Sequence, residues 1–326
     1  MIRVAINGFG RIGRTVLRAW SQGYLREEIE IVAVNDIAPA ESCAYLFEYD
    51  SVFGPLPGGV TLEEGAMVLP GGEHVRLSRA EDISTLDLSD VDLVMECTGH
   101  AHDMAFVGRG LVAGARRVLI SGPSDAAELT VVLGVNEGAL ADTHRVVSNA
   151  SCTTNALAPL ARLVESNWGI ETGWMTTIHC YTGSQPTVDA PRGDPARSRA
   201  AALSMVPTTT SAARMLDRVL PALRGRIEVA AVRVPVASVS AIDFAVLPRR
   251  RVTAASANAA LRAAGGVIGV TECPLVSSDL RARRESVVMA LPETRVTEGG
   301  LVRLFGWYDN EWGYSCRMLD MARLMG

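Results

Sequence analysis

The chain opens on a short apolar run, "IRVAI", followed by "NGFGRIGRTVLRAW", in which Ile12, Val16, Leu17 and Trp20 repeat at helical spacing. That order predicts a strand, a glycine turn and a helix. "EIEIVAVND" reads as a second strand, nearly continuous in apolar residues, as strands covered on both faces must be. "VDLVMECTG", "ARRVLISGP", "LTVVLGVN" and "RVVSNAS" are further runs of this kind, with helical or loop stretches between them. The alternation predicts a doubly wound parallel sheet over roughly the first half of the chain.

After about residue 165 the pattern changes. "GWMTTIHCYT", "RIEVAAVRVPVASVSAIDFAVLP", "SVVMALPETRVT" and "GGLVRLFGWYD" are long, rich in β-branched residues and in places alternating. They predict a mostly antiparallel sheet. Among them lies "GSQPTVDAPRGDPARSRAAALSMVPTTTS", a loop long enough to suggest a functional role. The closing "GYSCRMLDMARLMG" reads as an amphipathic helix through Tyr314, Met318, Leu319 and Ala322.

Composition narrows the function classes. The 326 residues allow two domains, and 48% hydrophobic with 21% charged residues is ordinary for a soluble globular protein. The net charge of -5 gives no reason to expect nucleic acid or an anionic membrane as partner. All 31 basic residues are Arg, which fits codon bias in a GC-rich genome better than a function. The six cysteines form no C-x-x-C pair, so no metal site is expected. The start lacks a signal-peptide layout and no apolar run is long enough to span a bilayer, so a cytoplasmic protein with reduced thiols is expected.

Two places carry chemistry. Gly8, Gly10 and Gly13 form G-x-G-x-x-G after a strand and at the opening of a helix, the context in which that motif binds a dinucleotide pyrophosphate. Asp36 ends the second strand, where a carboxylate can bind the ribose hydroxyls of NAD and would repel the 2′-phosphate of NADP. Farther along, in "SNASCTTNALAPLARLV", Leu157, Leu160, Ala161 and Val164 fall on one helical face. Ser151 or Cys152 then stands at the helix N-terminus, where a thiol is easier to ionise. Taken alone, Cys152 could equally be a small buried residue, and His179 in "TTIHCYT" a satisfied core histidine.

"AINGFGRIGR", "VAVND", "ECTG", "SNASCTTN", "TTIHCYT", "RAAALSMVPTTT", "RVPV" and "WYDNEWGYS" occur in the order seen in phosphorylating glyceraldehyde-3-phosphate dehydrogenases, and the resemblance runs from end to end. It implies a Rossmann NAD-binding domain over 1–151, completed by a C-terminal helix at 313–326, and an α+β catalytic domain with a mostly antiparallel sheet over 152–312. It also implies a cytosolic homotetramer. By matching positions, Cys152 is the thiolate that attacks the aldehyde, and His179 its base and ion-pair partner. Thr182 and Arg233 match residues that hold the substrate's phosphate, and Ser151, Thr153, Arg197, Thr210 and Ser211 match the site of the attacking inorganic phosphate. Arg11 and Ile12 match the pyrophosphate turn, and Thr98 ends "ECTG" in the cofactor site. Arg79 and Ser121 match contacts on the adenine and nicotinamide sides. Asn310 matches the residue that fixes the carboxamide, with Tyr314 beside the ring.

The chain also departs from the family pattern. Ala156 replaces a second cysteine, and Ala101 stands where an aromatic commonly flanks the adenine. Ser211 replaces a glycine of the phosphate loop, where a positive φ would disfavour it. Ala190 replaces a usual Leu and leaves room for a 2′-phosphate, so NAD is expected with NADP use open. Three alternatives stand beside the main reading: an erythrose-4-phosphate dehydrogenase that hydrolyses its thioester, a non-enzymatic NAD-binding regulator, and a cysteine–histidine acyl hydrolase.

Overall fold

The computed structural model describes residues 1–326 and divides them into two compact units. Met1–Val131, Glu137–Ala150 and Ser315–Gly326 form the first, and Val132–Asn136 with Ser151–Tyr314 the second.

In the first unit β1 (Ile2–Asn7) leads through the glycine turn into α1 (Arg11–Ser21) and on to β2 (Ile29–Asn35). Then come α2 (Ala40–Glu48), the small pair β3 (Tyr49–Asp50) and β4 (Gly54–Pro55), and β5 (Thr61–Glu63), β6 (Ala66–Val68) and β7 (His74–Ser78). After these follow β8 (Leu93–Glu96), α3 (Met104–Val107), α4 (Arg109–Val112), β9 (Arg117–Ile120), β10 (Leu129–Thr130) and β11 (Val146–Ser148). The sheet order is β10-β11-β9-β8-β1-β2-β7-β6-β5. Pairing is parallel from β10 to β7, with β1 between β2 and β8. The neighbours of β1 therefore lie in opposite directions of chain progression, which opens a crevice at the carboxyl ends of these strands.

Two expectations need correction. The sheet is not wholly parallel: β5, β6 and β7 add an antiparallel edge. These strands are short, separated by glycine turns and largely exposed, so they lack the continuous apolar run that marks the inner strands. "LTVVLGVN" gives only the two-residue β10, although Val131 and Val132 just beyond it are fully buried. Burial just past a strand end looks the same in sequence as burial within a strand. In "SQGYLREE" Ser21 ends α1 and residues 22–28 lie in turn structure.

The second unit begins with α5 (Cys152–Trp168), whose Leu157, Leu160, Ala161 and Val164 are buried as its periodicity requires. Then follow β12 (Ile170–Cys180), β13 (Val206–Thr208), α6 (Ala212–Val219), β14 (Ile227–Val234), β15 (Ser240–Pro248), α7 (Ala254–Ala264) and β16 (Ile268–Thr271). β17 (Val287–Ala290), β18 (Arg295–Val296) and β19 (Val302–Tyr308) complete the sheet, whose order is β13-β14-β12-β15-β19-β17-β16 with β18 on β19. It is mostly antiparallel, with β12–β14 and β16–β17 parallel. Helices α5, α6 and α7 pack on this sheet.

The last helix, α8 (Trp312–Met325), buries Met318, Leu319, Met321 and Ala322. Within the first unit its Arg317 donates from Nε to Asp320 at 2.7 Å, and Asp320 also accepts the Tyr24 hydroxyl at 2.9 Å. Both charges are buried. Removing one member of a buried pair strands the other, at a cost of about 3–5 kcal/mol. Asp320→Ala is therefore expected to lower the urea-unfolding free energy by about that amount, and a loss below about 1 kcal/mol would show the pair to be dispensable.

Candidate active site

Strand periodicity builds the site floor in the second unit. Thr177 pairs with Ala231 and His179 with Arg233 across β12 and β14, while Thr208 of β13 faces Ala231 and Val206 faces Arg233. Because side chains alternate with period two, Thr177, His179, Ala231, Arg233 and Thr208 emerge on one face. All five line a cavity of about 240 Å³. Ser151, Cys152 and Thr153 line it from the start of α5, and Arg197, Thr210 and Ser211 from the long loop.

The helix start positions the thiol. Ser151 is the N-cap of α5, its hydroxyl accepting the Thr154 N–H at 3.1 Å, and Cys152 is the first helical residue. Ala150 just before it is fully buried and held at φ 52, a left-handed conformation uncommon for alanine. Cys152 Sγ lies 3.7 Å from His179 Nε2. His179 Nδ1 is 2.7 Å from the Cys180 carbonyl, and Arg233 Nη1 donates to the same carbonyl at 3.0 Å. Nδ1 thus lies within hydrogen-bonding distance of both the Cys180 carbonyl and the Arg233 guanidinium, while Nε2 faces the thiol.

Burial pushes the His179 imidazole down to about 4; the Arg233 cation, 2.7 Å from Nδ1, acts the same way, and the Cys180 carbonyl opposes them. Enclosure also pushes the Cys152 thiol up, against a Thr153 hydrogen bond and the Arg233 charge. The ring is thus an unprotonated base at neutral pH, and the two groups titrate as a pair.

Tyr308, at the end of β19, was not among the residues expected from sequence. Its buried hydroxyl bridges Thr153 Oγ1 at 3.0 Å and Thr177 Oγ1 at 2.7 Å, and its ring meets His179 edge-on with centroids 6.0 Å apart. It joins the start of α5 to β12 beneath the reactive pair.

Two guanidiniums, of Arg197 and Arg233, line the cavity together with several hydroxyl side chains. Arg197 donates from Nε to Thr208 Oγ1 at 2.6 Å and from Nη2 to Thr209 Oγ1 at 2.8 Å, which fixes its guanidinium beside the cavity. Sequence reading named Thr210 and missed Thr208 and Thr209, although "PTTTS" contains all three and strand parity marks Thr208. Thr210 Oγ1 accepts the Ala212 N–H at 3.2 Å. The positive φ expected of Ser211 is absent: it stands at φ -76 as the N-cap of α6, where serine carries no backbone penalty. Thr182 is not among the cavity-lining residues; its hydroxyl lies 2.9 Å from that of Ser184, which does line it together with the buried Gln185. The hydroxyls of Ser151 and Thr153 are engaged by the helix cap and by Tyr308.

Asn310 and Tyr314 are buried in the second unit. Asn310 Oδ1 accepts from the Cys180 thiol at 3.1 Å and from Ser240 at 3.4 Å, which orients its amide.

The glycine turn of the first unit suits a dinucleotide. A Cβ on Gly8, at φ 92, would meet the Thr98 backbone nitrogen at 2.6 Å, and one on Gly13 would meet the Gly8 carbonyl at 2.2 Å. A Cβ on Gly10 would meet nothing within 4 Å, and Gly10 caps α1 without a side-chain acceptor. Helix N–H groups thus face open space of the kind a pyrophosphate fills. Asp36 accepts the Phe9 N–H at 2.6 Å and the Ala38 N–H at 2.9 Å, which locks its carboxylate beside the turn. Ile12 follows the turn in α1, and Arg11 pairs with Asp50. Arg79 donates to the Ile37 carbonyl at 2.7 Å, Thr98 binds Glu96 through its N–H at 2.9 Å, and the Ser121 N–H bonds the Glu96 carbonyl at 2.9 Å.

Residues 151–310 match the family described as "Glyceraldehyde 3-phosphate dehydrogenase, C-terminal domain", and residues 2–104 match its "NAD binding domain". The chain belongs to the glyceraldehyde-3-phosphate dehydrogenase family. It is 46% identical over 332 residues to the glyceraldehyde-3-phosphate dehydrogenase of Xanthobacter flavus, covering 100% of this chain and 98% of that protein. It is equally 46% identical to the Cereibacter sphaeroides protein of that name over 330 residues, with the same coverage. With glyceraldehyde-3-phosphate dehydrogenase 1 of Bacillus subtilis the identity is 42% over 329 residues, 98% of this chain and 97% of that protein. None of these names is that of an erythrose-4-phosphate dehydrogenase. No helix is long and apolar enough to cross a membrane.

Proposed function

We propose that this protein oxidises glyceraldehyde 3-phosphate to 1,3-bisphosphoglycerate, with NAD as hydride acceptor and inorganic phosphate as co-substrate. The observation that carries the reading is the Cys152–His179 pair, 3.7 Å apart, in a cavity shared with Arg197 and Arg233. The Cys152 sulfur adds to the aldehyde carbon while its proton passes to His179 Nε2. The backbone N–H of Cys152, at the helix start, is placed to donate to the oxyanion that forms. His179 returns that proton to the oxyanion, giving the thiohemiacetal hydroxyl, and takes it back as hydride leaves the carbon, so that a thioester remains on the sulfur. NAD, when bound, supplies the hydride acceptor; Gly8, Gly10, Arg11, Ile12, Gly13, Asp36, Arg79, Thr98, Ser121, Asn310 and Tyr314 are the residues assigned to hold it. Phosphate adds to the thioester carbonyl, the carbon–sulfur bond breaks, and the acyl phosphate departs. Arg197, Thr210 and Ser211 are assigned to the incoming phosphate, and Arg233 with Thr182 to the substrate's own. The αR backbone of Ser211 supports phosphate use, because nothing in that conformation excludes a side chain.

The test is phosphate-dependent NADH formation from glyceraldehyde 3-phosphate by the purified protein, followed by absorbance and repeated with NADP. Turnover should require phosphate and should prefer NAD, since Asp36 repels a 2′-phosphate. Phosphate-independent oxidation, or turnover of erythrose 4-phosphate alone, would overturn the reading.

The protein is proposed to act in the cytoplasm as a homotetramer. Self-association is supported by the sheet face of the second unit, where Trp174, Ala245 and Arg303 form one cross-strand row, Thr176, Asp243 and Phe305 a second, and Ile178, Ala241 and Trp307 a third. Trp174 and Ile178 are exposed on it.

A further inference from the structure

The crevice at the carboxyl ends of β1, β2 and β8 has an aromatic wall that comes from none of these strands. Asp36, Ile37, Ala80 and Thr98 line it, and so do Phe106 and Arg109 from α3 and α4. The polar floor is already served: Asn35 Nδ2 donates to Asn7 Oδ1 at 2.8 Å and to the Ala80 carbonyl at 3.0 Å. What the crevice offers a ligand is therefore the carboxylates of Asp36 and Glu81 and an apolar surface of Ile37, Ala80, Ile83 and Phe106, the single aromatic ring among its lining residues. Ala101, by contrast, is buried, and its carbonyl is taken by Ser124 Oγ at 2.6 Å.

The ring of Phe106 is held in place. Arg109 Cζ lies 4.8 Å from its centroid, and Arg109 Nε lies 3.6 Å from Asp82 Oδ1. His100 meets the ring edge-on with centroids 6.3 Å apart. The Phe106 N–H donates to Asp103 Oδ1 at 2.8 Å, which caps the short helix. An aromatic surface covered on one side by a guanidinium, beside a carboxylate at the end of β2, matches a nucleoside: the carboxylate takes the ribose hydroxyls and the ring takes the flat base.

We propose that Phe106, fixed by Arg109, is the stacking wall for the adenine of the dinucleotide. The inference rests on the NAD reading above and gives the adenine a contact that Ala101 does not supply. Phe106→Ala is expected to weaken binding of NAD, ADP-ribose and AMP by about tenfold each, measured by calorimetry on the full-length protein. Phe106→Trp should retain affinity, and its fluorescence should be quenched by AMP beyond any change seen in the unsubstituted protein. That signal reports stacking and not merely intact folding. Unchanged ADP-ribose affinity in Phe106→Ala, or no added quenching in Phe106→Trp, would overturn the inference while NAD-dependent turnover still upheld the function. If the unsubstituted protein bound neither NAD nor ADP-ribose, both would fall.

Discussion

Cys152→Ser is expected to lower turnover of glyceraldehyde 3-phosphate by about 10⁴-fold or more while leaving NAD binding intact. The reason is the environment as much as the element. Enclosure already pushes the thiol up, while the Thr153 hydrogen bond, the Arg233 charge, the start of α5 and the 3.7 Å approach of His179 favour the anion. A hydroxyl is far less acidic than a thiol, so the same surroundings cannot bring it into play. Cys43, Cys97, Cys180 and Cys316 are at least partly buried and lie outside the cavity lining, and Cys273 is exposed. Cys273→Ser should therefore leave the rate unchanged. Steady-state turnover with parallel calorimetric titration of NAD checks the pair of variants. A Cys152→Ser protein within about tenfold of the unsubstituted rate would remove Cys152 from the mechanism.

His179→Asn is expected to cost about 10²- to 10⁴-fold in turnover and to change its pH dependence. Burial, aided by Arg233, holds the imidazole down at about 4, so the base is unprotonated throughout the neutral range and its acid limb lies near that value. Asparagine can accept a hydrogen bond but cannot take the proton. The thiol must then ionise alone, and enclosure holds its pKa above the ordinary thiol value. The rate of the variant should keep rising with pH into the alkaline range, where the unsubstituted protein has already levelled. A variant with an unchanged pH profile would show that His179 is not the base.

Much of this was legible in the chain because local rules govern it. Leu157, Leu160, Ala161 and Val164 announced α5 by their spacing, and the helix start put Ser151 and Cys152 at its N-terminus. The order strand, glycine turn, helix gave the Gly8–Gly13 turn and Asp36. Other features were hidden because they depend on register. Thr208 and Thr209 read as two more loop threonines until β13 paired with β14 and Arg197 reached both. Tyr308 lies 155 residues from Thr153 and 131 from Thr177, and no local pattern ties them together. The edge strands β5, β6 and β7 were missed because exposed strands need no apolar run. Ser211 was read as strained because the glycine it replaces suggested a positive φ, whereas the backbone there is helical.

The sequence by itself determined the two kinds of sheet, the dinucleotide turn and the place of Cys152 at a helix start, since periodicity, glycine sterics and helix capping act over a few residues; the role of the thiol came from the family resemblance. Only the tertiary structure decided which groups serve that thiol. His179 and Arg233 become neighbours by parallel strand register, the Thr153 hydroxyl is claimed by Tyr308, and Phe106 lines the crevice of the first unit while Ala101 is buried. Each of these depends on a pairing between distant segments, which the chain specifies only once its core has closed.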